Sequence, residues 1–177
     1  MSEYRSPAAT SRSGPKPHPR WTETASPLEV TCYVRSDVTP PIQRQITSIR
    51  DRLKTLMNTQ LVAETHIQRW PPRCYAIDGD AGGETCSEFI DQLEQWANNT
   101  GYSLRPAIRR HSVGSLLDDD TTTERMSLPV ILLTLKRTDT EKSIPDGVVP
   151  YTIQNDGGKD SIYTVCDWLT AAEQSIS

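Results

Sequence analysis

The 177-residue chain has one phenylalanine, three histidines, four cysteines and no long apolar run. Its longest apolar stretch, residues 128–135, contains Pro129 and Thr134 and is far shorter than the roughly 20 residues that span a bilayer. The first residues also lack the apolar segment of a secretory signal. We therefore expect a cytoplasmic protein without a membrane-spanning segment.

The four cysteines show no paired spacing that is typical of zinc sites or disulfide frameworks, and the histidines stand alone. We expect reduced thiols, no metal and no cofactor. The chain has no nucleophile elbow, phosphate-binding loop or dinucleotide fingerprint, and nothing in the spacing positions Cys74 beside His66 or His111. We therefore predict a protein that is not an enzyme and has no catalytic residues.

Two acidic segments, residues 78–83 and 118–120, are candidate cation sites. Residues 78–83 begin like a calcium-binding loop, but Gly82 and Phe89 occupy the positions where that loop needs its third oxygen ligand and its bidentate glutamate. A turn before a helix explains the glycines better. Asp118, Asp119 and Asp120 are read in the same way, as a solvated loop.

Charge divides the chain into a basic part and an acidic part. Residues 1–73 carry 11 Lys+Arg against 6 Asp+Glu, whereas residues 74–177 carry 8 against 17. Arginine outnumbers lysine by 14 to 5, and threonine occurs 20 times. Few lysines and many short acidic or hydroxylated side chains suit a protein that stays soluble in concentrated salt. Net charge informs about solubility and partners, not about fold.

The chain divides near Leu28. Residues 1–27 are rich in proline and serine and carry basic side chains, with almost no apolar surface, so we predict a disordered tail. Residues 28–177 are long enough to form a single domain with its own core.

Hydrophobic periodicity predicts the fold of that domain. Alternating residues 28–34 predict a strand, and a helical stripe of isoleucines and leucines follows Thr39 and Pro40. A strand over residues 63–70, a helix after Thr85, strands over residues 104–113, 128–136 and 148–154 and a final helix capped by Thr164 complete the order β-α-β-α-β-β-β-α. The first β-α-β unit should be parallel and the last three strands antiparallel, with residues 130–133 central. We predict an α/β (α+β) two-layer sandwich, a mixed five-stranded sheet with helices on one face. Trp96, Trp168, Cys32 and Cys166 are expected on buried faces.

Basic residues are the remaining functional candidates. Arg105 and Arg109 should point the same way from the strand predicted at residues 104–113. There they can bind phosphate or an acidic partner. Alternatively, they lie at a protected sheet edge, where their charge discourages aggregation. The tail offers a loose cationic arm of Arg5, Arg12, Lys16 and Arg20. Arginines on the first helix surround it rather than forming one cationic face.

Framework positions across residues 28–172 resemble a family. They are residues 30–36, Arg52-Leu53, Trp70, Glu88-Phe89, Trp96-Ala97, residues 101–106, Leu128-Pro129-Val130 and residues 163–169. In this order they are similar to small haloarchaeal proteins described as helix-turn-helix-domain proteins. The resemblance implies a cytoplasmic protein of a halophilic archaeon and a role in transcription regulation.

A DNA-reading helix-turn-helix needs two helices joined by a turn of about three or four residues, whereas the predicted helices here are separated by strands. Two functional hypotheses therefore stand. In the first, the chain is a regulator-like protein that contacts DNA through the tail, Arg105 and Arg109, and it can act as a homodimer. In the second, it is an interaction module that docks another protein.

Overall fold

The computed structural model describes residues 26–76, 86–114 and 122–177. Their helices and strands are, in chain order, β1 (Leu28–Arg35), α1 (Pro40–Asn58), β2 (Val62–Trp70), β3 (Arg73–Ala76), α2 (Cys86–Thr100), β4 (Arg109–Gly114), β5 (Thr122–Ser127), β6 (Ile131–Arg137), β7 (Gly147–Val149), β8 (Tyr151–Ile153), β9 (Ser161–Tyr163) and α3 (Val165–Ser175). No helix within these ranges is both long and apolar enough to cross a membrane.

A four-stranded mixed sheet forms the centre of the molecule. Its strand order is β2-β1-β6-β7. β1 and β2 are parallel and are joined through α1, while β1 and β6 are antiparallel, as are β6 and β7. The predicted parallel unit is confirmed, and β6 is an inner strand as expected, although it shares the centre of the sheet with β1.

The predicted five-stranded sheet is wrong. β4 belongs to a second sheet of order β3-β5-β4, and β8 pairs with β9 in a small hairpin and bridges Ser103 through Thr152. Residues 104–108 form turns rather than the start of a strand, and Pro150 separates β7 from β8. Because proline lacks an N–H group for the strand ladder, Pro106 and Pro150 both fall where the pairing stops.

The helices lie on both faces of the main sheet, which corrects the prediction that they share one face. The side chains of β1 point alternately to the two faces of the sheet. Cys32 points towards α1, where burial raises the pKa of its thiol and the charge of Arg50 partly offsets that rise, while Tyr33 points the other way. The Tyr33 ring packs 4.8 Å from the ring of Phe89 in α2. α3 lies beside α1, since Arg52 of α1 binds Glu173 of α3. The contact between Tyr33 of β1 and Phe89 of α2 thus packs α2 against the face of the main sheet opposite α1.

The local signals at the helix ends are confirmed in part. α1 begins after Thr39 with proline in its first turn, but the Thr39 side chain makes no capping hydrogen bond. α3 has the full predicted capping box, in which Thr164 and Asp167 each bind the other's backbone N–H. The predicted cap of α2, Thr85, lies outside the described residues.

The core contains most of the residues that periodicity placed there. The buried stripe of α1 comprises Ile46, Ile49, Leu53 and Leu56, and Ile42 is half-buried against it. Trp96 and Trp168 are buried, as predicted, and so is Cys32. Cys166 is exposed, contrary to the prediction, because the apolar face of the short α3 is formed by Val165, Trp168, Leu169 and Ala172 instead.

Candidate nucleic-acid interface

The second sheet has two chemically different faces, which its register defines. The row Cys74–Met126–Arg110 crosses the three strands on one face. Because side chains alternate along a strand, the neighbouring rows lie on the opposite face. Those rows are Arg73–Ser127–Arg109 and Tyr75–Arg125–His111. We call the face that carries Cys74, Met126 and Arg110 the inner face, and the opposite face the outer face.

The inner face packs against α2. Cys74 and Met126 are buried there. Burial, together with a hydrogen bond between this thiol and Cys86, raises the pKa of the Cys74 thiol to about 12. His111 lies on the outer face, so β4 does not bring it to this thiol. The inner face therefore holds a protonated thiol in a packed interface rather than an activated nucleophile.

Arg110 is the one arginine of the sheet that points inward. Its guanidinium donates to Glu94 at 2.8–3.1 Å, to Glu124 at 3.0 Å and also to Asp91. These bonds, the one with Glu94 first, raise the pKa of Arg110 above its ordinary value. Arg110 thus fastens the sheet to α2 and is not a free cation.

The outer face combines positive charge with an exposed aromatic ring. Arg73, Arg109 and His111 are exposed, Arg125 is half-buried, and the Tyr75 side chain is 51% exposed. Within the described ranges, no carboxylate lies at ion-pairing distance from these cations. Arg73 has only a weak influence on Asp37, whose pKa is lowered mainly by hydrogen bonds from Arg35. The outer face is therefore a contiguous basic surface.

Arg109 belongs to this surface, and its position is set by the turn before β4. Its Nε donates to the Pro106 carbonyl at 3.2 Å, which leaves its remaining N–H groups unengaged among the described residues. β4 is the last strand in the order β3-β5-β4, so the expected position at a sheet edge is confirmed for Arg109.

Arg105 does not lie beside Arg109 as predicted. It is exposed in the turn that precedes β4, where it lines a cavity of about 330 Å³ with Tyr102, whereas Arg109 lines a different cleft. The expectation that both point the same way from one strand is therefore wrong, because the strand begins only at Arg109. The tail residues Arg5, Arg12, Lys16 and Arg20 lie outside the described residues, as do the acidic segments 78–83 and 118–120.

Comparison with known proteins adds a family relationship. The sequence matches the model of a helix-turn-helix domain family over residues 22–177, which is nearly the whole chain. The chain belongs to this family. No curated protein and no solved structure matches the sequence significantly.

In this helix-turn-helix family member, a strand separates each helix from the next across the ranges that the structure covers. α1 ends at Asn58 and the chain enters β2 at Val62, so the short turn leads to a strand and not to a second helix. No pair of described helices therefore forms the recognition unit that the family's description suggests. The exposed arginines of the second sheet lie on its strands and not on a helix of this family member.

The sequence interpretation missed Arg73, Tyr75 and Arg125. An alternating signal is present, because Arg73 and Tyr75 flank buried Cys74, and Arg125 and Ser127 flank buried Met126. This signal is too short to predict a strand, because β3 has only four residues and follows two prolines, and β5 follows an acidic run that is typical of a loop.

Proposed function

We propose that this chain is a non-enzymatic, regulator-like cytoplasmic protein that binds double-stranded DNA through the outer face of its second sheet. Membership of a helix-turn-helix domain family supports an association with nucleic acid. The observation that carries the proposal is that Arg73, Arg125 and Arg109 stand on three neighbouring strands and on the same face, in two adjacent rows without a described carboxylate.

The chemistry of these side chains suits a phosphate backbone. Arginine offers a planar fork of donors that binds phosphate in a bidentate manner. Strands lie about 4.8 Å apart, so arginines on β3 and β4 are spaced by roughly 10 Å. That separation lets them reach different phosphates, because each strand of duplex DNA carries one charge per 3.4 Å of its axis. β-sheet surfaces are an established way of contacting a duplex.

His111 and Tyr75 extend this surface. His111 offers an exposed imidazole ring, and Tyr75 offers an aromatic face beside the arginines. We include Arg105 and the tail cations Arg5, Arg12, Lys16 and Arg20 as flanking contacts. They add electrostatic attraction without contributing sequence specificity.

The test is a titration of labelled duplex DNA at increasing KCl concentration. Each phosphate contact contributes about −0.9 to the slope of log affinity against log salt, so Arg73→Gln/Arg109→Gln/Arg125→Gln should make the slope less steep by roughly 2 to 3. The charge-matched control is Arg44→Gln/Arg50→Gln/Lys54→Gln on the exposed side of α1. It should keep a nearly native slope.

Equal losses in the two triple variants would show that net charge alone attracts DNA, and would refute the assignment of the outer face. If the native chain fails to bind duplex DNA even in dilute buffer, the proposed function is wrong. Preferential binding of single-stranded DNA would move the assignment to base stacking on Tyr75.

An interaction module remains the second candidate, and β2 favours it. β2 is a nine-residue edge strand of the main sheet and carries Ile67, which is exposed. An open edge of this length can pair with a strand of another chain, including a second copy. Size-exclusion chromatography with light scattering, on the native chain and on Ile67→Lys, tests this candidate. A dimer that Ile67→Lys does not weaken would exclude the edge as its interface.

A further inference from the structure

A predominantly apolar cleft of about 540 Å³ opens between α1, α3, the turn before β4 and the β8–β9 hairpin. Its apolar wall includes Ile49, Leu104, Ile131, Pro150, Ile162 and Val165. Ile162 at its lip is 54% exposed, although it is a large aliphatic side chain. The volume is within the range of roughly 300 to 1,000 Å³ that is typical of small-molecule sites.

The charge of the cleft has one sign. Its lining contains Arg52 and Arg109, and none of the described lining residues is an aspartate or a glutamate. Arg52 is already engaged, because its Nε and Nη2 donate to the Glu173 carboxylate at 2.7 and 2.8 Å. Among the described residues, Arg109 donates only through its Nε, to the Pro106 carbonyl. The cleft therefore combines an apolar wall with one guanidinium whose terminal nitrogens are available.

We propose that this cleft binds an amphipathic carboxylate, with an unbranched acyl chain along the apolar wall and the carboxylate on Arg109. The predominantly apolar lining fits a methylene chain, and the arginine fork matches the two oxygens of a carboxylate. A bulky uncharged ligand would leave the guanidinium unused, and a compact anion such as acetate would leave the apolar wall in water.

The site has a consequence for DNA binding. Arg109 lines the cleft and also stands on the outer face of the second sheet. A carboxylate held by this guanidinium competes with a DNA phosphate for the same donors. This consequence, unlike the binding of the ligand itself, rests on the proposed function.

The test is isothermal titration calorimetry of the full chain with sodium hexanoate, octanoate and decanoate below their micelle concentrations. One molecule should bind per chain, and each added methylene should tighten binding by about fourfold. Octan-1-ol, which has an apolar chain but no carboxylate, should bind at least about tenfold more weakly than octanoate. Arg109→Gln should weaken octanoate binding to the level of octan-1-ol, and the exposed α1 variant Arg44→Gln should bind octanoate normally.

Ser48 lies on the exposed side of α1 and lines the cleft, so Ser48→Trp fills the cleft without disturbing the core. This variant should keep its melting temperature and lose octanoate binding. Unchanged octanoate binding in Ser48→Trp, an affinity independent of chain length, or equal affinity for octanoate and octan-1-ol would overturn the proposal.

The calorimetry contains no nucleic acid, so the two proposals fail separately. A chain that binds octanoate but no DNA would refute only the proposed function. A chain that binds DNA but no carboxylate of the series would refute only the cleft assignment.

Discussion

Arg110 in β4 donates two hydrogen bonds to the Glu94 carboxylate in α2, one from Nε at 2.9 Å to one oxygen and one from Nη2 at 2.8 Å to the other. The third nitrogen of the same guanidinium donates to Glu124 in β5 at 3.0 Å. One side chain therefore joins a helix to two strands of the second sheet. The outer arginines stand on the opposite side of these strands, so this brace holds their positions relative to α2.

Arg110→Ala is expected to lower the free energy of unfolding by about 1 to 3 kcal/mol, because it leaves several acidic groups close together without their cation. Urea denaturation at neutral pH measures the effect. Arg69→Ala serves as control, since Arg69 is exposed and has no ion pair among the described residues. Its cost should stay within about 0.5 kcal/mol. Equal costs for the two variants would refute the bracing role.

The two buried tryptophans should respond differently to substitution by phenylalanine. The Trp96 indole N–H donates to the Asp146 carbonyl at 3.0 Å, whereas the buried indole nitrogen of Trp168 has no partner in the described structure. Trp96→Phe loses a hydrogen bond, so its unfolding free energy should fall by about 1 kcal/mol more than that of Trp168→Phe. Denaturation of both variants decides this, and the opposite order would contradict the assigned partners.

Full removal of the Trp96 side chain tests its role in the core. Trp96 is buried and packs against Tyr102 and Tyr151. Trp96→Ala should therefore cost about 3 to 5 kcal/mol, as for other large buried aromatics. Thermal unfolding checks the result. A loss below about 1 kcal/mol would show that Trp96 is not a core anchor.

The ion pair between α1 and α3 should make stability depend on acid pH. The hydrogen bonds from Arg52 lower the pKa of Glu173 below its ordinary value of 4.5. A lowered pKa means that the stabilisation is fully present above the ordinary pKa and is lost as the pH falls through the lowered one. Glu173→Gln should therefore reduce stability near pH 7, and this difference from the native chain should shrink as the pH falls through the lowered pKa of Glu173. In an Arg52→Gln background the substitution should have little effect across this pH range, and a persistent pH-dependent difference there would contradict the pairing.

The boundary of the domain near Leu28 stays a prediction, and a deletion tests it. The Pro27 carbonyl accepts a hydrogen bond from the Thr138 N–H at 3.3 Å, and the Ser26 hydroxyl donates to Asp139 at 2.8 Å. Deletion of residues 1–25 spares these contacts and should change the melting temperature by no more than about 2 °C. A much larger fall would show that Trp21 packs on the domain.

Elements with a long, regular pattern were predicted correctly from the sequence. β1, α1 and α3 each carry a complete hydrophobic period or a capping signal, and the parallel β1-α1-β2 unit follows from chain connectivity. β3 and β9 were missed, because three or four residues hold too little periodicity to be recognised, and β5 was missed because it follows an acidic run that is typical of a loop. The face that α2 covers also escaped prediction, since it depends on the contact of Tyr33 with Phe89.

The candidate site was harder to predict for a related reason. Arg109 was identified because it lies in a local cluster of basic residues. Arg73 and Arg125 join it only through the register of three strands, and residues far apart in the sequence become neighbours there. Only knowledge of the strand pairing brings such a surface together.

The position of β1 bears on how the chain is synthesised. β1 forms near the start of the domain and lies between β2 and β6, but β6 is translated only after both β4 and β5. On the ribosome, one edge of β1 therefore stays open while most of the chain emerges, and unpaired edges of this kind invite association between nascent chains. The fourth strand of the main sheet, β7, lies still later in the chain, so this sheet cannot be complete before residues 147–149 have been synthesised.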